Sequence, residues 1–202
     1  MTVSISACKV HHNCTFLSEL GLTLTLMTRN ELQQCLEDAF GSLEPPYFDE
    51  SFRGSGMEPE FEDLVRTDTA RTKRWQKLRP LTQYLNGSLA IFRLTSKAFQ
   101  YYLPAFLYAM TDPKVVWQYL SPVLSTLWYE NEDGEPLYNN PDLRLKWEED
   151  AAILTDRQKR CIAHFLVEIL KQASEEEEGE GEVSMEADRI EHMLKKYWNA
   201  WL

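Results

Sequence analysis

The chain has 202 residues, which is enough for one sizeable hydrophobic core and short for two. Its composition is globular, since 44% of the residues are hydrophobic and 12% are aromatic. The formal net charge of -11 argues against non-specific binding to nucleic acid or to an anionic membrane. Six glutamates at 175–182 supply more than half of that charge. The sequence has no uninterrupted apolar run of membrane-spanning length, so we predict no transmembrane span.

Residues 1–26 differ from the rest of the chain. They carry only Lys9 and Glu19 as charged groups and lack the features of a signal peptide. We interpret them as a disordered arm or a non-native extension, with Met27 as the biological start. The segment 8–14 within them holds two cysteines and two histidines, but the spacing fits no standard zinc site, and we predict no metal.

Cysteine usage bears on the compartment. The chain has 4 cysteines at irregular spacing and is large enough to fold without disulfides. Small secreted domains use dense, regular cysteines, whereas reducing compartments keep scattered thiols free. The sequence therefore favours a cytoplasmic protein.

The first predicted helix begins after Thr28, because Thr28 and Glu31 have the spacing of a capping box, and it ends at Gly41. A long loop rich in proline, glycine and acids follows. Within it, we predict that Tyr47, Phe48 and Phe52 pack on the core. Residues 60–79 are then predicted to form a helix with a polar surface.

Two short segments, 89–94 and 143–147, alternate between apolar and polar residues. Such alternation is typical of a strand, so the sequence allows one short β-hairpin made from these two segments. A two-stranded pair is marginally stable alone. It would be a minor feature of a mainly α-helical fold.

Residues 98–110 are apolar around the whole helix circumference, which predicts a buried helix. Pro104 lies inside this run and is predicted to kink or divide it. Asp112 followed by Pro113 predicts an N-cap and the first residue of another helix. Pro122 is then predicted to break or bend that helix.

Thr155 and Gln158 form a second potential capping box, which opens a helix with an apolar stripe. We interpret the acidic run at 173–184 as a solvated linker. The predicted organisation is therefore a helical domain over 28–172, this linker, and an amphipathic C-terminal helix over 185–202.

Signs of catalysis are weak. The sequence has no nucleophile elbow, phosphate loop or dinucleotide fingerprint. Beyond the first segment, His164 and His192 remain, and both are predicted to lie on polar helix surfaces. Glu148, Glu149 and Asp150 would supply acid and base only if burial separated their pKa values. Acids near a helix N-terminus more often stabilise the helix. We therefore predict no catalytic residue and no cofactor.

A basic patch at 66–79 is unusual in this acidic chain, with six basic residues against one acid. It predicts binding to an acidic protein partner or to a phosphate group, with a tryptophan as aromatic anchor. The alternative is a solvated helix face. The candidate partner-binding residues are Arg71, Lys73, Arg74, Trp75 and Lys77.

The C-terminal helix carries Tyr197, Trp198 and Trp201 on one face. Its polar face mixes acids and bases, which suits water better than a membrane. We predict that the aromatic face either folds back on the core of the same chain or mediates self-association.

The segments FRLTSKAFQYYLPAFL at 92–107 and LTDRQKRCIAHFL at 154–166 resemble a bacterial family known only as a domain of unknown function. The resemblance covers roughly residues 28–172 and implies a shared fold. It implies no activity. The acidic linker and the last helix look like additions to the shared domain.

The tyrosines of the first segment have two interpretations. Aromatic residues of a buried helix are usually core residues, and this is the interpretation we favour for Tyr101 and Tyr102. The alternative is a small-ligand pocket lined by Tyr101, Tyr102, Tyr108 and Trp117.

These features together predict a non-enzymatic protein-interaction or regulatory domain. One alternative is a small-ligand-binding protein or an enzyme that uses tyrosines and carboxylates near the kinked helix. Another is an acidic, immunity-like inhibitor of a basic toxin, which would fit the net charge.

Overall fold

The computed structural model describes residues 27–47, 51, 74–76, 89–131, 133–137, 142–176 and 181–202. Within these ranges the chain is helical and forms no strand, apart from one isolated bridge between Glu130 and Pro136. The prediction of a mainly α fold is confirmed. The helices are α1 (Arg29–Phe40), a 3₁₀ helix (Leu89–Arg93), α2 (Ser96–Met110), α3 (Pro113–Leu127), α4 (Asp142–Ile153), α5 (Asp156–Glu176), α6 (Gly181–Lys196) and a second 3₁₀ helix (Trp198–Trp201).

The predicted helix starts are confirmed by their hydrogen bonds. At α1, Thr28 N–H donates to Glu31 Oε2 (2.7 Å) and Glu31 N–H donates to Thr28 Oγ1 (3.3 Å). The first of these bonds lowers the pKa of the Glu31 carboxyl. At α5, Thr155 and Gln158 exchange the equivalent pair of bonds. Asp112 caps α3 by accepting from Lys114 N–H, and Pro113 takes the first helical position. Each of these caps satisfies a backbone N–H that a helix N-terminus leaves without an intrahelical partner.

Helix α2 is the centre of the core. Ten of its fifteen residues are buried, including the consecutive run 101–107. α1, α3 and α4 all pack against it, which explains why no side of it is polar. The helix continues through Pro104, and α3 likewise continues through Pro122. The prediction that these prolines divide or break their helices was therefore wrong, whereas a kink or bend at each proline stays a prediction. Packing against the surrounding helices keeps both segments helical, although each proline lacks the backbone N–H that a helix normally uses.

The possible β-hairpin was also wrong. Its first segment is the 3₁₀ helix Leu89–Arg93, and its second lies inside α4. In α4, Arg144 Nε lies 2.9 Å from Glu148 Oε1, and Lys146 pairs with Asp150, both at a spacing of four residues. This spacing places each pair on one helix face. In this segment the charged residues recur with helical spacing, whereas the apolar residues alternate as they would in a strand.

Gln158 joins three helices through one buried side chain, 2% exposed. Its Nε2 donates to Ala39 O at the end of α1 (3.2 Å). Its Oε1 accepts from Gln100 Nε2 of α2 (2.8 Å) in addition to the capping bond within its own helix. Gln158, in the first turn of α5, therefore links α5 to the last turn of α1 and to α2.

The C-terminal helix belongs to the same core as the rest of the chain. α5 extends to Glu176 and α6 begins at Gly181, so both helices enter the segment predicted as linker. The apolar stripe of α6 packs on α5 and α3. Its buried members are Ala187, Ile190, Met193 and Leu194, followed by Trp198. The stripe therefore packs on its own chain, and self-association through this helix stays a prediction.

An aromatic cluster closes this end of the molecule, where α3, α4 and the last 3₁₀ helix meet. Trp147 Nε1 and Trp198 Nε1 both donate to Leu127 O, at 2.8 Å and 3.2 Å. Trp128 lies edge-on to Trp147, with ring centroids 4.8 Å apart. The members of the aromatic cluster are Trp128, Tyr129, Trp147, Tyr197, Trp198 and Trp201.

Candidate interaction site

A groove of about 540 Å³ lies where α1 ends and α2 begins. We call it the Arg74 groove. Segments from three parts of the chain line it: the stretch after α1, the short segment around Trp75, and the first turn of α2. Its described lining residues are Gly41, Ser42, Leu43, Glu44, Pro45, Pro46, Tyr47, Arg74 and Lys97.

The end of α1 shapes the first side of the groove. Gly41 caps the helix, and its N–H donates to Glu37 O (2.8 Å). A Cβ at Gly41 would collide with that carbonyl oxygen, so the close approach requires glycine. Phe40 O accepts from Leu43 N–H (3.1 Å) and from the Trp75 ring (3.0 Å). The tryptophan therefore ties the segment that carries Arg74 to the end of α1.

Hydrogen bonds around Ser51 shape the opposite side. Ser51 is buried, and its Oγ donates to Tyr47 O (2.8 Å). Its own carbonyl accepts from Thr95 N–H (3.0 Å), where Thr95 is the N-cap of α2. The Tyr47 backbone is thereby anchored to the start of α2. Its side chain remains 77% exposed.

The lining combines charges with an exposed ring. Arg74 and Lys97 are both exposed, although 23 positions separate them in the sequence. Glu44 contributes one acid to the same lining. Pro45 and Pro46 give the wall a backbone with little freedom to reorganise. The arrangement is suited to hold an acidic, partly apolar segment of polypeptide.

The predicted basic patch is only partly covered by the structure. Arg71, Lys73 and Lys77 lie outside the described residues, as does most of the helix predicted over 60–79. Arg74 is exposed on the groove as predicted. Trp75 is 0% exposed and packs edge-on to Tyr108, so it is a core residue rather than an exposed anchor. Its apolar ring and its ring N–H both find partners inside the protein.

The exposed aromatic ring at the groove belongs to Tyr47 instead of Trp75. The sequence analysis placed this residue on the core, whereas the structure exposes it. Lys97 was also missed, because nothing near it in the sequence marks it as part of a basic surface. The groove brings it to Arg74 only through the Ser51–Thr95 and Trp75–Phe40 hydrogen bonds. These are tertiary contacts, which local sequence patterns do not report.

The tyrosines of α2 occupy core positions. Tyr101 and Tyr102 are 1% and 0% exposed, and their rings pack edge-on at 4.9 Å. Tyr108 is half-buried against Trp75. The backbone of Trp117 lies in α3, and its side chain is outside the described residues. The pocket formed by all four residues stays a prediction. Its first two members have the environment of packed core residues.

Among the three adjacent acids of α4, burial singles out Asp150. Glu148 and Glu149 are exposed, whereas Asp150 is 2% exposed and pairs with Lys146. A crevice beside this pair, which Ser125 and Thr126 also line, has a volume of about 10 Å³. One water molecule needs about this much space, on the order of 10–15 Å³. The crevice is therefore too small for a substrate.

The two histidines are less exposed than predicted. His164 is half-buried, and burial, followed by the nearby Arg160 charge, lowers its pKa. The His192 side chain is 13% exposed, and its Nε2 lies 3.9 Å from Glu130 Oε2. Its ring lies beside Trp128 at the edge of the aromatic cluster. Both histidines are placed in packed surroundings, although their helices also carry polar faces.

Metal-binding clusters and membrane-spanning helices are both absent from the described residues. In the described part of the chain, no group of three or more metal-binding side chains comes together. The segment 8–14, with its cysteines and histidines, lies outside the described residues. None of the described helices has the length and apolar character needed to cross a membrane.

Comparison with known proteins gives one match. A family model described as a family of unknown function (DUF6714) matches residues 28–202. The resemblance to a family of unknown function is confirmed, and the match continues through the last helix, which the sequence analysis had treated as an addition. No curated protein and no solved structure matches the chain.

Proposed function

Because the chain belongs to DUF6714, a family whose function is unknown, we propose a function from its own geometry. The protein is a non-enzymatic interaction domain that binds an acidic segment of another protein in the Arg74 groove. The observation that carries this proposal is the meeting of two exposed cations with an exposed tyrosine in a chain of net charge -11.

The groove has the physical properties that peptide binding needs. Its volume of about 540 Å³ is within the usual range of ligand sites, roughly 300–1,000 Å³. An exposed tyrosine supplies a large contact area with little conformational freedom to lose. The neighbouring prolines are already restricted, so binding orders little additional backbone.

Charge supplies selectivity more than affinity. An exposed ion pair contributes only about 0.2–1 kcal/mol, so Arg74 and Lys97 alone would bind weakly. They would favour acidic partners and speed the encounter with them. Glu44 on the same lining would repel an acid placed in the wrong register. Most of the affinity would then come from contact with Tyr47 and the proline wall.

The alternatives receive less support from the same residues. An enzyme that used Asp150 would have to admit substrate to a crevice of about 10 Å³. A basic toxin would meet cations rather than acids at the Arg74 groove. We place the protein in the bacterial cytoplasm, because the resemblance is to bacterial sequences and because Cys35 and Cys161 are free thiols.

The test is site-specific crosslinking of the full chain in its native host. Tyr47 is replaced by a photoreactive phenylalanine, and the linked peptide is identified by mass spectrometry. We expect a peptide from another protein with several Asp or Glu residues. Crosslinking to a neutral or basic segment, or to this chain's own glutamates at 175–182, would contradict the proposal.

A charge-reversal pair then measures the contribution of the groove. The crosslinked peptide is synthesised and its affinity is measured by calorimetry. Arg74→Glu with Lys97→Glu should weaken binding about tenfold or more, equivalent to roughly 1.4 kcal/mol. The control is Lys114→Glu with Lys196→Glu, an equal charge change at exposed lysines outside the groove. Equal weakening by both pairs would mean that net charge alone drives binding.

A further inference from the structure

Two cysteines that are distant in the sequence meet where α1 packs on α5. Cys35 of α1 is half-buried and Cys161 of α5 is 0% exposed, and the two thiols are near enough for each to shift the pKa of the other. Both are free thiols. The packing of α1 on α5 therefore makes the two cysteines neighbours in the fold.

Two further contacts fix the register of this pair. Arg157 Nη2 of α5 lies 3.2 Å from Asp38 Oδ2 of α1, and Gln158 Nε2 donates to Ala39 O. Asp38 and Ala39 follow Cys35 by three and four residues in α1. Gln158 and Arg157 precede Cys161 by three and four residues in α5. This is the spacing of one face on each of two antiparallel helices. The meeting of Cys35 with Cys161 is therefore a consequence of helix packing.

The surroundings divide the chemical roles of the two sulfurs. The hydrogen bond from Cys161 lowers the pKa of the Cys35 thiol, and the Arg157 guanidinium acts in the same direction, against burial and the Asp38 charge. The bond to Cys35 and burial both raise the pKa of Cys161. Thiolate character and access decide which cysteine an oxidant attacks. Both factors favour Cys35.

We propose that Cys35 and Cys161 form a peroxide-sensitive pair that closes to an intramolecular disulfide between α1 and α5. The Cys35 thiolate attacks one peroxide oxygen, the O–O bond breaks, and the hydroxide that leaves takes up a proton to become water. Cys35 is then a sulfenic acid. The Cys161 sulfur attacks the Cys35 sulfur, loses its proton and displaces hydroxide, which gives a second water. Two thiols and one hydrogen peroxide thus yield one disulfide and two waters.

The experiment uses the full chain with Cys8→Ser and Cys14→Ser, so that two thiols remain. The folded protein is treated with hydrogen peroxide, quenched with catalase, alkylated and digested without reduction. We expect both thiols to disappear, the intact mass to fall by two hydrogen atoms, about 2 Da, and dithiothreitol to reverse the change. The linked peptides should contain Cys35 and Cys161 of one chain.

Single variants separate this pathway from unrelated oxidation. Cys161→Ala should leave a Cys35 sulfenic acid that dimedone traps, whereas Cys35→Ser should leave Cys161 unmodified. Linkage in the folded chain should be about tenfold faster than in urea, because folding raises the effective concentration of the thiols. Persistence of both thiols, oxidation of Cys35 to sulfinic acid with Cys161 intact, or a link between two chains would each overturn the proposal.

Discussion

Two regions of the molecule use aromatic residues in opposite ways. In the aromatic cluster the rings pack on one another, and two tryptophan rings donate to the Leu127 carbonyl. At the Arg74 groove, Trp75 is equally buried and donates to Phe40 O, but Tyr47 beside it is 77% exposed. The difference shows that neither residue type nor sequence neighbourhood decides whether an aromatic side chain is structural. Packing of the ring against other parts of the chain does.

This contrast bears directly on the proposed site. Trp75 has both a packed ring and a satisfied N–H, so its removal should damage the fold. Tyr47 is held at its backbone by Ser51 while most of its side chain faces solvent. A surface that fixes an aromatic residue by its backbone and leaves the ring open is suited to binding. The following substitutions test this distinction.

The largest effect on stability is expected in the aromatic cluster. Trp198→Ala removes a ring that is 1% exposed and leaves a cavity among the other aromatic residues, which should lower the free energy of unfolding by about 3–5 kcal/mol. Urea denaturation measures the loss. Trp201→Ala is the control, because its ring is only partly buried and should cost less. Equal losses would show that burial does not distinguish the two tryptophans.

A smaller loss is expected when a buried tryptophan is replaced by phenylalanine, which removes the ring N–H and part of the ring volume. Trp75→Phe keeps an aromatic ring, and Phe40 O still accepts from Leu43 N–H, so we expect a loss of about 1–2 kcal/mol. Trp198→Phe is the matched change in the aromatic cluster, where Leu127 O still accepts from Trp147. Similar urea midpoints for the two variants would support a structural role for Trp75. An unchanged midpoint for Trp75→Phe alone would refute it.

The smallest effect on stability is expected at the exposed ring. Tyr47→Ala should change the free energy of unfolding by no more than about 0.5 kcal/mol, because the side chain buries little surface. The same variant should weaken binding of the crosslinked acidic peptide. Thermal denaturation and calorimetry on one preparation test both statements. A large loss of stability with unchanged binding would make Tyr47 a structural residue.

The sequence predicted best those features that depend on near neighbours. The capping residues Thr28, Asp112 and Thr155 each begin a helix as expected, because a cap needs only the backbone of the next turn. The apolar circumference of α2 correctly indicated a buried helix. The family resemblance was also recognised from two short segments.

The errors arose where distant parts of the chain decide the outcome. A five-residue alternation in α4 outweighed the i,i+4 charge pairs Arg144–Glu148 and Lys146–Asp150, which were the better local signal. Pro104 and Pro122 remain inside helices because neighbouring helices enclose them. The Arg74 groove could not be predicted, since Lys97 and Tyr47 join it only through tertiary hydrogen bonds.

The hydrogen bonds of the Gln158 side chain have a consequence for the order in which the fold assembles. Its amide contacts residues 58 and 119 positions away in the chain, although helical proteins usually fold through contacts between near neighbours. The entropy of closing those loops must be lost before the contacts can stabilise anything. The last turn of α1 therefore gains its bond to Gln158 only after α5 has reached it.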